Sequence, residues 1–268
     1  MLSIQLIAWV AVLLTSILSS MVGIGGGTLY VPLLLMLGFP FHQVVTASLF
    51  TILMTSLSAT LTYRHTMKVD WKLALWIEPP TFLMAFIGGY LSDRVDVRIL
   101  KETLVVVLMG TAYLLSRPLH KGDRPPVRRG IHRLLADREY WVDLRTLMPA
   151  TTLAGLLAGV EGISGGVLKV PAMVLLGGVP LDIAAATSEL MVTVTAATGL
   201  LGHLLANRLD LAFALPLAVT ASVGGQIGAR LAAKVDRSVL QKVLVGMLVL
   251  AAGQLLWDTL GPGTWMQH

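Results

Sequence analysis

Long apolar runs alternate with short polar segments along the chain. Each long run has about 20 residues, the length that one membrane-spanning helix needs. The long runs lie at residues 2–22, 41–63, 71–91, 98–116, 181–206, 211–229 and 239–257, and shorter ones lie at 28–37, 146–160 and 167–179. The pattern predicts an all-α integral membrane protein with eight to ten membrane segments.

Composition supports this membrane assignment. Only 13% of the 268 residues are charged, whereas soluble domains carry about 25%. Cysteine is absent, which excludes disulfides, thiolate metal sites and cysteine nucleophiles. The sequence also lacks a nucleotide-binding loop, a set of residues with metal-ligand spacing and a catalytic constellation. We therefore expect no enzymatic activity, no cofactor and no metal.

An internal repeat divides the chain into two halves. Residues 23–33 read GIGGGTLYVPL and residues 162–172 read GISGGVLKVPA, with seven of eleven positions identical. Beyond these motifs the correspondence continues with the alignment shifted by one residue, which pairs Asp70 with Asp210. This predicts a first membrane repeat, a basic cytoplasmic linker and a second membrane repeat, at residues 1–116, 117–145 and 146–268 respectively.

The distribution of Lys and Arg predicts the orientation of the halves. If each half crosses the membrane an odd number of times, the loops on one side hold 15 of these residues and the loops on the other side hold 4. An even number of crossings gives 12 against 7. Because cytoplasmic loops are enriched in Lys and Arg, the first arrangement is favoured. It makes the halves inverted-topology repeats, with both termini outside the cytoplasm.

Two glycine clusters predict discontinuous helices. Four glycines in five residues, followed by Pro32, should interrupt a helix, and residues 162–171 repeat the pattern. Interrupted backbone inside a membrane normally lines a cavity, and the exposed N–H groups of a helix start favour anions. The candidate substrate-binding positions are Gly25, Gly26, Gly27, Thr28, Ser164, Gly165 and Gly166. Close helix packing through small residues is the alternative interpretation.

Charged residues inside the apolar runs are further candidates, because such charges are expensive in lipid. Lys169 could neutralise an anionic substrate, pair with Glu161 or Glu189, or extend to the interface. A buried carboxylate can carry a coupled proton, and the candidates are Glu161, Glu189 and Glu78. Structural ion pairs, or stabilisation of a proline kink at Glu78, are the alternatives.

Uncharged polar residues complete the candidate site. Ser48, Thr187 and Ser188 occupy corresponding positions in the two halves and could donate hydroxyl hydrogen bonds, although such groups often bond to their own helix backbone. Gln226 could reach a polar cavity. The basic run at 128–133 is predicted to be a solvated face that touches anionic membrane lipids, and nucleic acid is not an expected partner.

The paired motifs GxGGGxxxxP and GxSGGxxxxP, each heading one half of the chain, resemble the sulfite exporter TauE/SafE family of membrane permeases. The matching positions are Gly23, Gly25, Gly26, Gly27, Pro32, Gly162, Ser164, Gly165, Gly166 and Pro171. The resemblance implies a protein of the cell inner membrane that transports small sulfur-containing anions, such as sulfite or organosulfonates.

Together, the pattern and the resemblance predict a secondary active transporter that works by alternating access, with proton coupling as one option. A passive anion channel or facilitator is one alternative. A non-transporting membrane scaffold or assembly factor is another. A homo-oligomer is compatible with the sequence, which does not determine the number of subunits.

Overall fold

A computed structural model gives the fold. It describes residues 2–66, 68–91, 130–135, 138–161, 164–205 and 210–260, together with separate helical positions between 102 and 116. The predicted run at 98–116, the linker residues 117–129 and Gly162 therefore lie wholly or largely outside the described residues.

The described residues are mostly helical. Their helices are α1 (Leu2–Met21), α2 (Gly27–Met36), α3 (Phe41–Tyr63), α4 (Trp71–Leu91), α5 (Leu144–Glu161), α6 (Gly166–Leu175), α7 (Leu181–Leu205), α8 (Leu211–Ala232) and α9 (Arg237–Leu260). A short 3-10 turn, Arg64–Thr66, follows α3. These bounds lie within a few residues of the apolar runs, because burial of apolar surface decides where each helix forms.

The helices are interrupted at both glycine clusters, which confirms the prediction. The chain leaves the helix after Met21 and resumes at Gly27, and it leaves after Glu161 and resumes at Gly166. In the first cluster Gly23, Gly25 and Gly26 have φ of 78°, 75° and 82°. This left-handed region is costly for any residue with a Cβ atom, so the first interruption requires glycine.

The outer surface has the character expected of a lipid-facing protein. Among the described residues, three helical segments are long and apolar enough to cross a bilayer: Gln43–Tyr63, Leu181–Leu205 and Leu211–Ala232. Large apolar side chains are also exposed on most of the other helices, for example Leu6, Leu75, Leu153, Val249 and Trp257. Apolar exposure on this scale would be unfavourable in water.

Equivalent helices of the two halves exchange contacts. Helix α1 packs against α8, and its equivalent α5 packs against α4. Helix α3 packs against α8, its equivalent α7 packs against α4, and α3 and α7 pack against each other. Each half therefore supplies the main packing surface for the other.

Part of the linker forms a β-hairpin. Strands β1 (Ile131–Leu135) and β2 (Arg138–Val142) pair antiparallel, with Ile131 opposite Val142. Tyr140 and Val142 are buried, and only 14% of the Arg133 side chain is exposed. The prediction that residues 128–133 form a solvated face is therefore wrong for Arg133, because alternating residues of the hairpin pack onto the helices.

The two ends of the molecule differ in how they are held. At the hairpin end, defined here by β1, β2 and residues 64–70, Arg133 and Tyr140 bind Asp70. At the opposite end, the starts of α3 and α8 meet, and Gln43 Nε2 donates to Asp210 Oδ2 over 2.8 Å. An aromatic contact between Phe39 and Phe213 lies beside this bond, with ring centroids 4.7 Å apart.

Candidate functional site

The two helix interruptions meet inside the protein. The Ser164 hydroxyl donates a short hydrogen bond to the carbonyl oxygen of Ile24. Gly166 lies so close to the first cluster that a Cβ atom there would be 2.6 Å from the carbonyl oxygen of Gly23. Only glycine allows this approach, so the sequence of the second cluster directly determines how the two interruptions pack.

Two backbone N–H groups of the second cluster are occupied within the cluster itself. The N–H of Gly166 donates to Ser164 Oγ and the N–H of Val167 donates to the Ser164 carbonyl, both over 3.3 Å. That Ser164, Gly165 and Gly166 bind an anion stays a prediction, and it requires these N–H groups to change partners. The Thr28 side chain, expected to face them, lies outside the described residues.

A charged centre lies next to the second interruption. Lys169 of α6 is fully buried, and its ammonium group donates to both carboxylate oxygens of Glu78 on α4, at 3.2 and 3.0 Å. Thr195 of α7 bridges the pair: its hydroxyl lies 2.5 Å from Glu78 Oε1 and also accepts from Lys169. Three helices thus converge on one buried ion pair.

The structure corrects the expected pairing of Lys169. Neither Glu161 nor Glu189 is its observed partner, and the side chain of Glu161 lies outside the described residues. The internal repeat contained a signal for the observed pair. Lys169 aligns with Tyr30 and Glu78 aligns with Ala218, so each is a charge that the other half lacks.

A neutral centre is formed by the residues at the repeat-equivalent positions. Tyr30 of α2 is fully buried, and its hydroxyl lies 3.2 Å from that of Thr55 on α3. Tyr30 aligns with Lys169 and Thr55 aligns with Thr195, while the buried Ala218 takes the position of Glu78. The same three positions of the repeat therefore give a charged centre and a neutral centre, and each centre combines residues of both halves.

Glu189 of α7 is a second buried carboxylate. It is fully buried, and neither of its oxygens has a well-aligned hydrogen-bond partner among the described residues. The backbone N–H of Gly25 in the first glycine cluster is a donor in its vicinity. Such a group is unusual, because buried polar atoms are nearly always hydrogen-bonded.

The other predicted polar residues are dispersed. Ser48 and Ser188 are buried within α3 and α7, and the Ser188 hydroxyl has no partner among the described residues. The Thr187 hydroxyl accepts from the backbone N–H of Asp70 over 2.9 Å, which ties α7 to the hairpin end. Gln226 is exposed and lines a cavity of about 550 Å³ between the ends of α3 and α8, away from the glycine clusters.

A second ionic cluster holds the hairpin in place. Asp70 accepts from Arg133 Nε at 2.8 Å, from the Tyr140 hydroxyl at 2.6 Å and from the backbone N–H of Leu73 at 3.0 Å. Burial alone would raise the pKa of Asp70, but these hydrogen bonds outweigh it and hold the pKa below its usual range. This cluster could not be predicted from the sequence, because it depends on the fold of the linker.

The structure limits the chemistry available at these centres. Within the described part of the chain, no group of three or more His, Cys, Asp or Glu side chains could hold a metal ion. A buried Lys–Glu pair, a buried carboxylate and two contacting helix interruptions, set among lipid-facing helices, are features of a protein that moves a small polar solute through a membrane.

Comparison with known proteins agrees with this class. The profile of the sulfite exporter TauE/SafE family matches residues 8–255. The chain is 28% identical over 259 residues to a protein named probable membrane transporter protein YunE of Bacillus subtilis, covering 92% of this chain and 95% of the relative. It is 26% identical over 201 residues to probable membrane transporter protein MJ0441 of Methanocaldococcus jannaschii, covering 72% and 70%. No solved structure gives a significant match.

The chain therefore belongs to the TauE/SafE sulfite exporter family. It is a multi-pass membrane transporter and not an enzyme.

Proposed function

We propose that the protein is a secondary active transporter of a small sulfur-containing anion, such as sulfite or an organosulfonate, in the cell inner membrane. It works by alternating access around the two helix interruptions. The observation that carries this proposal is the buried Lys169–Glu78 pair beside the point where Ser164 contacts Ile24. The family description supports the class of substrate.

Opposite directions of equivalent helices support an inverted-repeat architecture. Helix α3 finishes at Tyr63, next to the hairpin end. Its equivalent α7 begins at that end, where Asp182 lies 3.2 Å from Arg138 and 3.6 Å from Lys68. Equivalent helices that run in opposite directions are expected of inverted repeats, and these repeats are common in secondary transporters.

The grouping of basic loops supports the proposed orientation. His65 lines the same cavity as Arg230 and Lys234, while Lys68 and Arg133 lie at the hairpin end with Asp70 and Asp182. The described basic residues of these segments thus lie at one end. This end is cytoplasmic by the positive-inside rule, and both termini lie outside the cytoplasm.

The packing of the glycine clusters supports a closed intermediate in the transport cycle. Binding of the substrate anion requires the Ser164 hydroxyl to release Ile24, and the N–H groups of Gly166 and Val167 to exchange Ser164 for the anion. Lys169 then provides the countercharge for the anion, while Glu78 retains the Thr195 hydroxyl as a partner. Lys169 exchanges Glu78 for the anion, and this exchange is favourable only if the anion neutralises the buried ammonium group as Glu78 did.

Glu189 carries the coupled proton in this proposal. Its carboxyl group lies near the N–H of Gly25, where an anion bound to the first cluster would also lie. Two negative charges at one helix start repel each other, so the anion binds with the neutral form of Glu189. Proton and anion therefore cross the membrane together.

Uptake into proteoliposomes tests this function. Wild-type protein should accumulate radiolabelled sulfite when a pH gradient is applied, and a protonophore should abolish the accumulation. The double variant Lys169→Tyr with Glu78→Ala, which copies the neutral centre, should remain folded and lose at least about tenfold in rate, the effect of about 1.4 kcal/mol. Lys72→Gln, an exposed charge change at the start of α4, is the control.

The results separate the alternatives. A Glu189→Gln variant should still exchange sulfite but should no longer accumulate it against a gradient. Sulfite flux that the pH gradient never drives uphill would indicate a passive channel. Absence of flux with sulfite and with several organosulfonates would indicate a scaffold and overturn the proposal.

A further inference from the structure

A basic cavity opens between the ends of α3 and α8. Its volume is about 550 Å³, and its wall combines cationic, polar and apolar side chains. The lining residues are Ser58, Leu61, Thr62, His65, Gln226, Arg230, Ala233 and Lys234. No Asp or Glu is among them, so the cavity attracts anions.

The charges of this cavity have no partner within the described residues. Within the described part of the chain, neither Arg230 nor Lys234 forms an ion pair, and the Gln226 amide forms no hydrogen bond. The Thr62 hydroxyl donates to the Ser58 carbonyl and retains the capacity to accept. Two cations and an amide thus remain available to one ligand.

The described part of the equivalent region in the other half is closed and has no counterpart of Arg230 or Gln226. Thr62 aligns with Gly202, and a Cβ atom at Gly202 would lie 2.8 Å from the carbonyl oxygen of Phe86 on α4. Arg230 aligns with Tyr90, and Gln226 aligns with Phe86. In one half, Gly202 allows α7 to approach α4 closely. In the other half, the bulkier Thr62 occupies the equivalent position and lines the open, cationic cavity. The cavity is therefore not a consequence of the repeat itself.

We propose that this cavity binds the oxyanion headgroup of an anionic phospholipid. Arg230 and Lys234 neutralise the phosphate, and Gln226 donates to one of its oxygens. Leu61, which is 46% exposed, lines the cavity, and the exposed Leu57 lies one turn away on the same helix face. This apolar edge is suited to an acyl chain, which a free anion lacks.

The location of the cavity agrees with a lipid ligand. It lies at the end that carries the basic loops, where an anionic cytoplasmic leaflet would concentrate such headgroups. This assignment uses the orientation proposed above, but the binding itself does not depend on transport activity. A binding measurement can therefore refute the lipid site without refuting the proposed transport, and a transport measurement can do the reverse.

Lipid titration with native mass spectrometry tests the proposal. Purified protein in detergent is titrated with phosphatidylglycerol or with phosphatidylcholine, and bound lipid is counted. The double variant Arg230→Gln with Lys234→Gln should bind phosphatidylglycerol about 30-fold more weakly, because each basic residue near a membrane surface contributes about 1 kcal/mol. Saturating phosphatidylglycerol should raise the wild-type Tm by about 5 °C, and phosphatidylcholine should not.

A charge-matched control removes two exposed basic residues elsewhere. The double variant Lys72→Gln with Arg145→Gln lies outside the cavity and should bind phosphatidylglycerol within about twofold of wild type. A single Lys234→Gln variant provides an intermediate effect if the double variant is unstable.

Glycerol phosphate distinguishes a lipid from a free anion. If it neither binds nor displaces phosphatidylglycerol at matched concentration, the lipid assignment is supported. If it gives the same shift in Tm as the lipid, the oxyanion site stands and its lipid assignment is overturned. Equal binding of phosphatidylglycerol by wild type and by the cavity variant would overturn the site itself.

Discussion

The charged centre and the neutral centre are built from the same three positions of the repeat. Lys169, Thr195 and Glu78 form the first, and Tyr30, Thr55 and Ala218 form the second. Both are buried, so the fold accommodates either chemistry at this place. The ion pair is therefore not required to pack the helices, which is why we assign it to the transported anion.

The largest difference between the centres should follow from removing their central side chains. Lys169→Met leaves the Glu78 carboxylate buried without a cation and should lower the free energy of unfolding by about 3–5 kcal/mol. Tyr30→Phe removes one neutral hydrogen bond and should cost about 1 kcal/mol. Detergent-solubilised protein unfolded in denaturant gives both values. Equal effects would mean that the ion pair contributes no more than the neutral pair.

The backbone of the glycine clusters provides the next contrast. Gly26 and Gly165 are equivalent positions, but Gly26 has φ of 82° whereas Gly165 has φ of −58°. Gly26→Ala should cost about 2–4 kcal/mol, because it combines left-handed strain with a clash against the Tyr30 ring. A Cβ at Gly165 meets nothing closer than 3.5 Å, so Gly165→Ala should be nearly neutral.

Thermal unfolding of these two alanine variants checks that contrast. A Gly165→Ala variant as unstable as Gly26→Ala would show that the second cluster also needs glycine for its backbone conformation.

The aligned aspartates at the two ends should also differ. Asp70→Asn weakens an ionic contact with Arg133 and should cost about 2 kcal/mol. Asp210→Asn should cost less than about 0.5 kcal/mol, because asparagine can still accept from the N–H groups of Ala212 and Phe213 at the start of α8. Proteolysis within the hairpin, compared at matched temperature, reports loosening at Asp70.

Lowering the pH should also reveal the contribution of Asp70 to the stability of the folded protein. The pKa of Asp70 is lowered in the folded protein, so its contribution to stability is complete above the unfolded pKa of about 4 and is lost as the pH falls through the folded value. Asp70→Asn removes this part of the pH dependence. The stability of both proteins is measured from about pH 7 to about pH 3. The assignment would be contradicted if wild type and Asp70→Asn showed the same dependence of stability on pH.

The bridging hydroxyls should show the smallest contrast. Thr195→Val removes a partner from two charged groups and should cost about 1.5 kcal/mol. Thr55→Val removes one neutral partner of Tyr30 and should cost about 0.5 kcal/mol. Valine preserves the shape of threonine, so side-chain volume is matched. A larger loss from Thr55→Val would reverse the ranking of the two centres.

Local features of the chain were predictable and long-range partners were not. The interruptions at Gly23–Gly27 and before Gly166 follow from residues that act on their own backbone. The Lys169–Glu78 pair joins helices from opposite halves, and its geometry depends on how α4 and α6 pack. Comparison of the aligned positions could have suggested it, because both charges lack a charged equivalent.

The hairpin was missed for a different reason. Its strands read IHRLL and REYWV, so alternating apolar positions are present but embedded in a basic segment that charge alone marks as solvated. Asp70 causes the hairpin to pack onto the protein, since it provides the buried partner for Arg133 and Tyr140. No feature of the linker itself specifies that partner.

The exchange of packing between the halves has a consequence for how such a protein can diversify. Helices α1 and α5 each rest on a helix of the other half, so one repeat made alone would need a second copy to cover it. In a dimer of identical repeats every substitution would appear twice, so a lysine at one centre would also be present at the other. Joining the repeats in one polypeptide removes that constraint, and only then can one centre carry a lysine where the other carries a tyrosine.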